Sequence, residues 1–217
     1  MRQDHTRLIA PDWMRPLLDG VEKAEARDLS RFVPPPDGSG RHSAVLILLS
    51  SRSDSVDDAE VVLLQRSATL RNHAGQVAFP GGAADPEDAS SAATALREAE
   101  EEVGLKPDTV DVLAELPDLF LPVSSFVVTP VIAHWREPHP VGVVDTAEVA
   151  AVEVAPLAQL RDPANRFTVR HPRGISPGFE VAGLFVWGFT GGLIDRLLNL
   201  AGWELPWDRS RTRQLPQ

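Results

Sequence analysis

The feature that most constrains this chain is a crowding of glutamates in one short segment. Residues 97–105 read Arg-Glu-Ala-Glu-Glu-Glu-Val-Gly-Leu. Because each residue of an α-helix turns by about 100°, Glu98, Glu101 and Glu102 would share one narrow stripe, with Glu100 pointing away from it. Like charges at these spacings repel by a few tenths of a kcal/mol per pair, roughly. A hard divalent cation, which prefers oxygen ligands, would reverse that cost. The alternative is a solvated acidic helix face.

The residues on either side of this stripe predict a strand, a glycine turn and a helix. Asp88 or Ser90 suits the N-cap, and Gly104 suits the residue that ends the helix. The two glycines Gly81 and Gly82 follow a strand-like run, and they allow a tight turn and the close approach of a ligand. The apolar flank of the helix consists of Ala92, Ala95, Leu96, Ala99 and Val103.

Composition excludes several classes of function. The chain has 217 residues, of which 43% are apolar, and this suffices for one sizeable core. A formal net charge of −10 argues against nucleic-acid partners and against anionic membrane surfaces. Cysteine is absent, which excludes disulfides and thiol chemistry. No apolar run approaches the roughly 20 residues of a membrane span, and no apolar signal core follows the first residues. We therefore expect a cytoplasmic protein.

The pattern along the chain predicts three regions. Residues 1–40 form a helical segment with a Pro/Gly linker, residues 41–200 form the main domain, and residues 201–217 form a flexible tail. Strands are expected at 43–50, 60–66, 77–79, 110–121, 126–135, 149–154, 167–170 and 179–181. Helices are expected within 11–29, between an N-cap at Asp88 or Ser90 and the stop at Gly104, and at 156–160 and 185–200. Strands mixed with separate helices indicate an α/β or α+β fold.

The segment from Arg97 to Leu105 resembles the second half of the Nudix box, G-x5-E-x7-R-E-U-x-E-E-x-G-U, in which U is bulky and apolar. Ala99 is a small residue at one U position. The first half departs, because the spacing from Gly82 to Arg97 is one residue longer and Asp88 stands roughly where a glutamate is expected. The resemblance covers roughly residues 42–200, and it implies an α/β/α sandwich around a central mixed β-sheet.

A second stretch, upstream of the box, resembles the signature L-L-T-x-R-S-x3-R-x3-G-x3-F-P-G-G of Nudix coenzyme A diphosphatases. This stretch contains Leu63-Leu64-Gln65-Arg66-Ser67, Arg71, Gly75 and Phe79-Pro80-Gly81-Gly82, with Gln65 in place of the threonine. The resemblance implies hydrolysis of coenzyme A or its thioesters to 3′,5′-ADP and 4′-phosphopantetheine or its acylated form. It also implies that Arg66, Arg71, Gly81 and Gly82 bind the substrate.

The same resemblance assigns a metal site and its support. Glu101 and Glu102 would be ligands of Mg²⁺ or Mn²⁺, and Glu98 would be a further ligand or would orient the attacking water. The main-chain carbonyl of Gly82 would be an additional ligand. Arg97 would hold the carboxylates in place, since Arg97 and Glu101 are four residues apart on the helix.

A general base is also required, and Glu148 is the candidate because loops that precede a strand in this superfamily often carry such a glutamate. Glu98 is the alternative base, and a surface acid without a role is the alternative reading of Glu148. Two rival functions stay open: a Nudix diphosphatase for ADP-ribose, NADH or a nucleoside triphosphate, and a Nudix-fold ligand sensor without turnover. The number of metal ions, the preferred form of coenzyme A and the oligomeric state, a homodimer included, are undetermined by the residues.

Overall fold

The computed structural model describes residues 9–70, 72–171 and 174–215. In these ranges the α-helices are α1 (Arg15–Glu22), α2 (Ala26–Leu29), α3 (Ser91–Val103), α4 (Leu157–Arg161) and α5 (Gly188–Leu200). The strands are β1 (Arg41–Ser51), β2 (Ala59–Arg66), β3 (Val77–Ala78), β4 (Gly81–Ala83), β5 (Val110–Glu115), β6 (Leu119–Leu121), β7 (Phe126–Trp135), β8 (Val149–Pro156), β9 (Arg166–His171), β10 (Gly174–Val181), β11 (Leu184–Val186) and β12 (Thr212–Gln214).

A mixed sheet, of eight strands in the described ranges, forms the centre of the fold. Its main path is β3-β2-β1-β7-β5, while β4 pairs with β1, β6 with β7 and β8 with β2. The long strands β1 and β7 run parallel, with Arg41 opposite Phe126 at one end and Leu49 opposite His134 at the other. The remaining pairs of this sheet are antiparallel. The predicted mixed α+β fold with a central mixed sheet is confirmed.

The alternation of side chains along β1 explains why the sheet is covered on both faces. Ala44, Leu46 and Leu48 are buried in the cluster that packs against α3. Ile47 and Leu49 point the other way, into a larger cluster that contains residues of α1 and α5. A strand that is apolar on both faces must lie inside a sheet, as the sequence predicted for this run.

A second sheet, with the strand order β11-β10-β9-β12, packs against α5. Arg166 at the start of β9 is 1% exposed and forms ion pairs with Asp195 of α5 and with Glu204, whose Oε1 lies 3.1 Å from its Nη1. The guanidinium also lies over the ring of Trp207, at 4.6 Å from the centroid. These contacts attach residues 204–207 to the second sheet.

Residues 201–215, the described part of the segment that the sequence predicts as a flexible tail, contact the rest of the fold. Trp203 is buried and stacks on Trp13, with ring centroids 5.9 Å apart. Further on, Thr212–Gln214 pairs in parallel with β9. The sequence pattern did not predict these contacts because each one joins residues that are distant along the chain.

The helix expected at 185–200 begins three residues later, at Gly188. Leu184–Val186 pairs instead with β10, and Trp187 has extended backbone angles. At the other end of the chain, α1 packs closely on α5, since a Cβ on Gly20 would lie 2.3 Å from the carbonyl oxygen of Leu200. None of the described helices has the length and apolar character to cross a membrane.

Candidate active site

The glycine turn before α3 lies directly on the central strand β1. Gly81 is opposite Val45 and Gly82 is opposite Ala44 in an antiparallel register. A Cβ on Gly81 would lie 2.2 Å from the carbonyl oxygen of Ala44, a distance that no side chain tolerates. The glycine therefore permits this close contact between strands, and the contact fixes the main chain of the turn beside α3.

The local sequence of α3 sets its limits and its orientation. The hydroxyl of Ser90 caps the helix by accepting a hydrogen bond from the amide of Ala93 at 3.1 Å. Gly104 ends it in the left-handed conformation, with φ of 72°. Ala95, Ala99 and Val103 are buried against the sheet. The adjoining stripe of glutamates consequently faces the glycine turn.

Glu102 is the buried member of this stripe, with 4% of its surface exposed. Its Oε2 accepts a hydrogen bond from the amide of Gly81 at 2.8 Å, and its Oε1 lies 3.9 Å from Nη1 of Arg66. Burial raises the pKa of Glu102 to about 7, although the bond from Gly81 and the charge of Arg66 act to lower it. The site thus holds a carboxylate that is short of positive charge.

Glu98 occupies the space that the second glycine leaves free. A Cβ on Gly82 would lie 2.4 Å from the carboxyl carbon of Glu98. Burial raises the pKa of Glu98, and the charges of Glu101 and Glu148 add to this effect while Arg97 opposes it. Each glycine of the turn therefore lies against a glutamate of α3. The amide of Gly81 bonds Glu102, and the missing side chain of Gly82 leaves room for Glu98.

Arg97 connects the segment before α3 to the glutamates of the helix. Its Nη1 lies 3.1 Å from an oxygen of Glu98 and 3.1 Å from an oxygen of Glu101, so the predicted contact with Glu101 is present. Its Nη2 donates to the carbonyl of Ala83 at 3.0 Å. Asp88 accepts two further bonds from this guanidinium, which holds the pKa of that carboxyl well below its usual range.

The contact of Asp88 with Arg97 was not predicted from the sequence. There Asp88 was a candidate N-cap and a departure from the Nudix box. Its Oδ2 also accepts a bond from the hydroxyl of Thr94 at 2.9 Å and one from the amide of Asp85 at 2.9 Å. The signal was present, since Asp88 stands roughly where the box has a glutamate. The spacing from Gly82 to Asp88 is that of the box, so the additional residue lies between Asp88 and Arg97.

Arg66 and Glu148 come to the same site from different elements, and Arg71 lies outside the described residues. Arg66 is at the end of β2, and its Nε is buried without a hydrogen-bond partner in the described part of the chain. Glu148 is on an exposed loop. Its main-chain carbonyl accepts a hydrogen bond from the amide of Ser67 at 2.7 Å. Its charge raises the pKa of both Glu98 and Glu102, after the larger effect of burial.

The chemistry of these groups fits a hard divalent cation. Carboxylate oxygens are the donors, and burial has left two of them with raised pKa values. In the described ranges, however, no three acidic or histidine side chains converge to a complete metal-binding group. Glu98 and Glu101 turn towards Arg97 and Glu102 towards Gly81. The residue types thus agree with the predicted site, and the assignment of individual ligands stays a prediction.

Comparison with known proteins identifies the class. The NUDIX domain family matches residues 40–176. A protein of Cronobacter sakazakii named uncharacterized Nudix hydrolase NudL is 42% identical over 165 residues, which cover 72% of this chain and 81% of the relative. A protein of the same name from Escherichia coli is 43% identical over 165 residues, with the same coverage.

A solved structure agrees with this chain in fold. The Nudix hydrolase RenU of M. smegmatis superposes with a TM-score of 0.53 at 20% identity, covering 82% of this chain and 98% of RenU. At this identity the likeness concerns the fold alone. The classification rests on the family match over more than half of the chain and on the 42–43% identity to relatives that are covered over 81% of their length. This chain therefore belongs to the Nudix family and is a hydrolase that acts on pyrophosphate bonds.

Proposed function

We propose that this hydrolase cleaves the diphosphate of coenzyme A or of coenzyme A thioesters, giving 3′,5′-ADP and 4′-phosphopantetheine or its acylated form. The observation that carries the proposal is the position of Arg66. Its buried Nε lacks a partner within the described residues, and its Nη1 lies 3.9 Å from Glu102. A partly exposed guanidinium with one unpaired nitrogen, beside several carboxylates, suits a diphosphate that bridges the arginine and a bound cation.

Nudix hydrolases generally use divalent metal ions, and Mg²⁺ or Mn²⁺ is the proposed cofactor. Glu98, Glu101 and Glu102, with the carbonyl of Gly82, would hold it. When bound, such an ion neutralises charge on phosphoryl oxygens and lowers the pKa of a coordinated water. The raised pKa values of Glu98 and Glu102 support this assignment, since a cation would supply the positive charge that the site lacks.

The other side chains around this site would each have a separate role in the reaction. Arg66 binds the diphosphate, and Arg97 keeps Glu98 and Glu101 in position through its bonds at 3.1 Å. Glu148 accepts the proton of the attacking water, with Glu98 as the alternative acceptor. Replacement of Glu148 by glutamine tests this choice. A fall in kcat of less than about tenfold would assign the base to Glu98, because general-base catalysis is worth about 10²–10⁴-fold.

The choice of coenzyme A rests on the upstream signature, and the contacts of Gln65, Arg66 and Ser67 support it. Arg66 contacts Glu102, and the amide of Ser67 bonds the carbonyl of Glu148. The Nε2 of Gln65 donates to the carbonyl of Gly75 at 3.2 Å, which joins the two parts of the signature. Residues that resemble a substrate signature thus border the carboxylates.

The decisive experiment measures hydrolysis of coenzyme A, NADH, ADP-ribose and dinucleoside polyphosphates side by side with Mg²⁺ and with Mn²⁺. We expect the highest kcat/KM for coenzyme A or one of its thioesters. A preference for ADP-ribose by about tenfold, which corresponds to about 1.4 kcal/mol of transition-state binding, would overturn the substrate assignment. Binding of these ligands without turnover would indicate a sensor.

A further inference from the structure

Residues 140–148, which we call the valine loop, cover the C-terminal end of α3. The amide of Gly142 donates to the carbonyl of Val103 at 3.0 Å, and the amide of Val144 donates to the carbonyl of Glu102 at 3.2 Å. Carbonyls in the last turn of a helix have no partner within the helix, so the loop satisfies them. The main chain of the loop is consequently fixed to the residue that carries the buried carboxylate.

Two side chains of the valine loop are apolar and face solvent. Val143 is 37% exposed and Val144 is 59% exposed, whereas Val141 packs against the core between the sheet and α3. The other end of the loop is held at Glu148, whose carbonyl bonds the amide of Ser67. Both ends are therefore anchored, and the two exposed valines lie between the end of α3 and the candidate base.

The negative charge of the valine loop favours the pantetheine half of the proposed substrate over its 3′,5′-ADP half. The loop carries Asp145 and Glu148 and contains neither lysine nor arginine. It would repel the phosphate-rich 3′,5′-ADP half of coenzyme A. The pantetheine half is uncharged beyond the diphosphate, and in a thioester it ends in an apolar chain. Exposed valines gain free energy when such a chain covers them.

We propose that the valine loop binds the pantetheine half of coenzyme A and the acyl chain of its thioesters, and thereby favours acylated over free coenzyme A. This inference rests on the proposed function and deepens it. Val143 and Val144 would be specificity-determining residues, and the 3′,5′-ADP half would lie on the side of the site away from this loop.

The test compares the wild type with the double variant Val143→Ser, Val144→Ser. Substrates are free coenzyme A and thioesters with short, medium and long acyl chains, and NADH serves as a substrate that lacks pantetheine. For the wild type we expect kcat/KM to rise by about tenfold or more along the series, in the range of hydrophobic discrimination. For the double variant we expect this dependence on chain length to flatten, with activity on free coenzyme A less affected.

The control is Val123→Ser, which alters an exposed valine in the turn between β6 and β7. It should leave the dependence on chain length unchanged. A double variant with the wild-type dependence, or with equal losses on thioesters and NADH, would overturn the inference and leave the proposed function intact. A wild-type dimer that dissociates on mutation of the loop would also overturn it, by assigning the valines to a second copy of the chain. Absence of hydrolysis of every coenzyme A compound would refute both proposals.

Discussion

Asp88, which precedes α3, and Arg97 of that helix form a two-point ion pair. Nε of the arginine lies 3.1 Å from Oδ1, and Nη2 lies 3.0 Å from Oδ2. The remaining nitrogen, Nη1, is thereby directed at Glu98 and Glu101. The position of two proposed metal ligands depends in this way on an aspartate that precedes the helix, because one rigid guanidinium bonds all three carboxylates.

We expect Asp88→Asn to lower stability most at neutral pH, and by progressively less as the pH falls below about 4. The folded pKa of Asp88 lies below its unfolded value, so the charged form stabilises the fold above about pH 4. This contribution is lost as the pH falls below that value towards the folded pKa. Thermal unfolding of both proteins between neutral pH and about pH 3 measures the effect. A difference in Tm that is constant across the range would contradict it.

Gly82→Ala should reduce kcat with a small change in Tm. The new methyl group would start 2.4 Å from the carboxyl carbon of Glu98, which is at the end of a flexible side chain and would move. Displacement of a catalytic group by about 1 Å can cost about 10²-fold in rate. Steady-state kinetics with Mg²⁺ measures the loss. The matched control is Gly192→Ala in α5, where a Cβ meets nothing within 4 Å, and activity there should be unchanged.

Glu102→Gln should abolish most activity without loss of stability. The amide side chain can still accept the bond from Gly81, and it removes a buried charge whose ion pair with Arg66 is long, at 3.9 Å. We expect kcat/KM to fall by at least about 100-fold if the carboxylate holds the metal, since that interaction is worth several kcal/mol. Calorimetric titration with Mn²⁺ should show weaker binding. A large fall in Tm would instead indicate a structural role for the charge.

Arg66→Lys should raise the KM for the diphosphate substrate. Lysine keeps the charge but loses the planar fork that binds two phosphate oxygens at once. We expect an increase of about tenfold, with Mn²⁺ affinity close to that of the wild type. Arg52→Lys is the control, because Arg52 is exposed and pairs with Glu60 at 3.4 Å. Equal effects of the two substitutions would remove Arg66 from the substrate site.

Trp203→Ala should destabilise the whole domain. The indole is buried and stacks on Trp13. Its removal would leave a cavity beside Trp13. Truncation of a buried tryptophan costs about 3–5 kcal/mol. Urea unfolding provides the measurement, and Leu205→Ala, at a residue that is 42% exposed, should change stability by less than about 0.5 kcal/mol. Similar midpoints for both variants would mean that Trp203 contributes little.

The local pattern of the sequence determined helix α3 and the interior strand β1. The periodicity of α3, a cap at Asp88 or Ser90 and the stop at Gly104 act over a few residues. The structure has the helix between Ser90 and Gly104. The apolar run of β1 likewise predicted an interior strand. These predictions hold because helix periodicity, capping and two-sided burial are properties of short segments.

Only the tertiary structure decided which distant residues meet. Gly82 lies against Glu98, sixteen residues further along the chain. Asp88 bonds Arg97 although the spacing from Gly82 to Arg97 is one residue longer than in the box. Trp203 joins Trp13 at opposite ends of the chain, where the sequence indicated a loose tail. Such contacts depend on how the sheet and helices pack. A local pattern specifies which side of an element is buried, and the packing of the whole chain specifies what buries it.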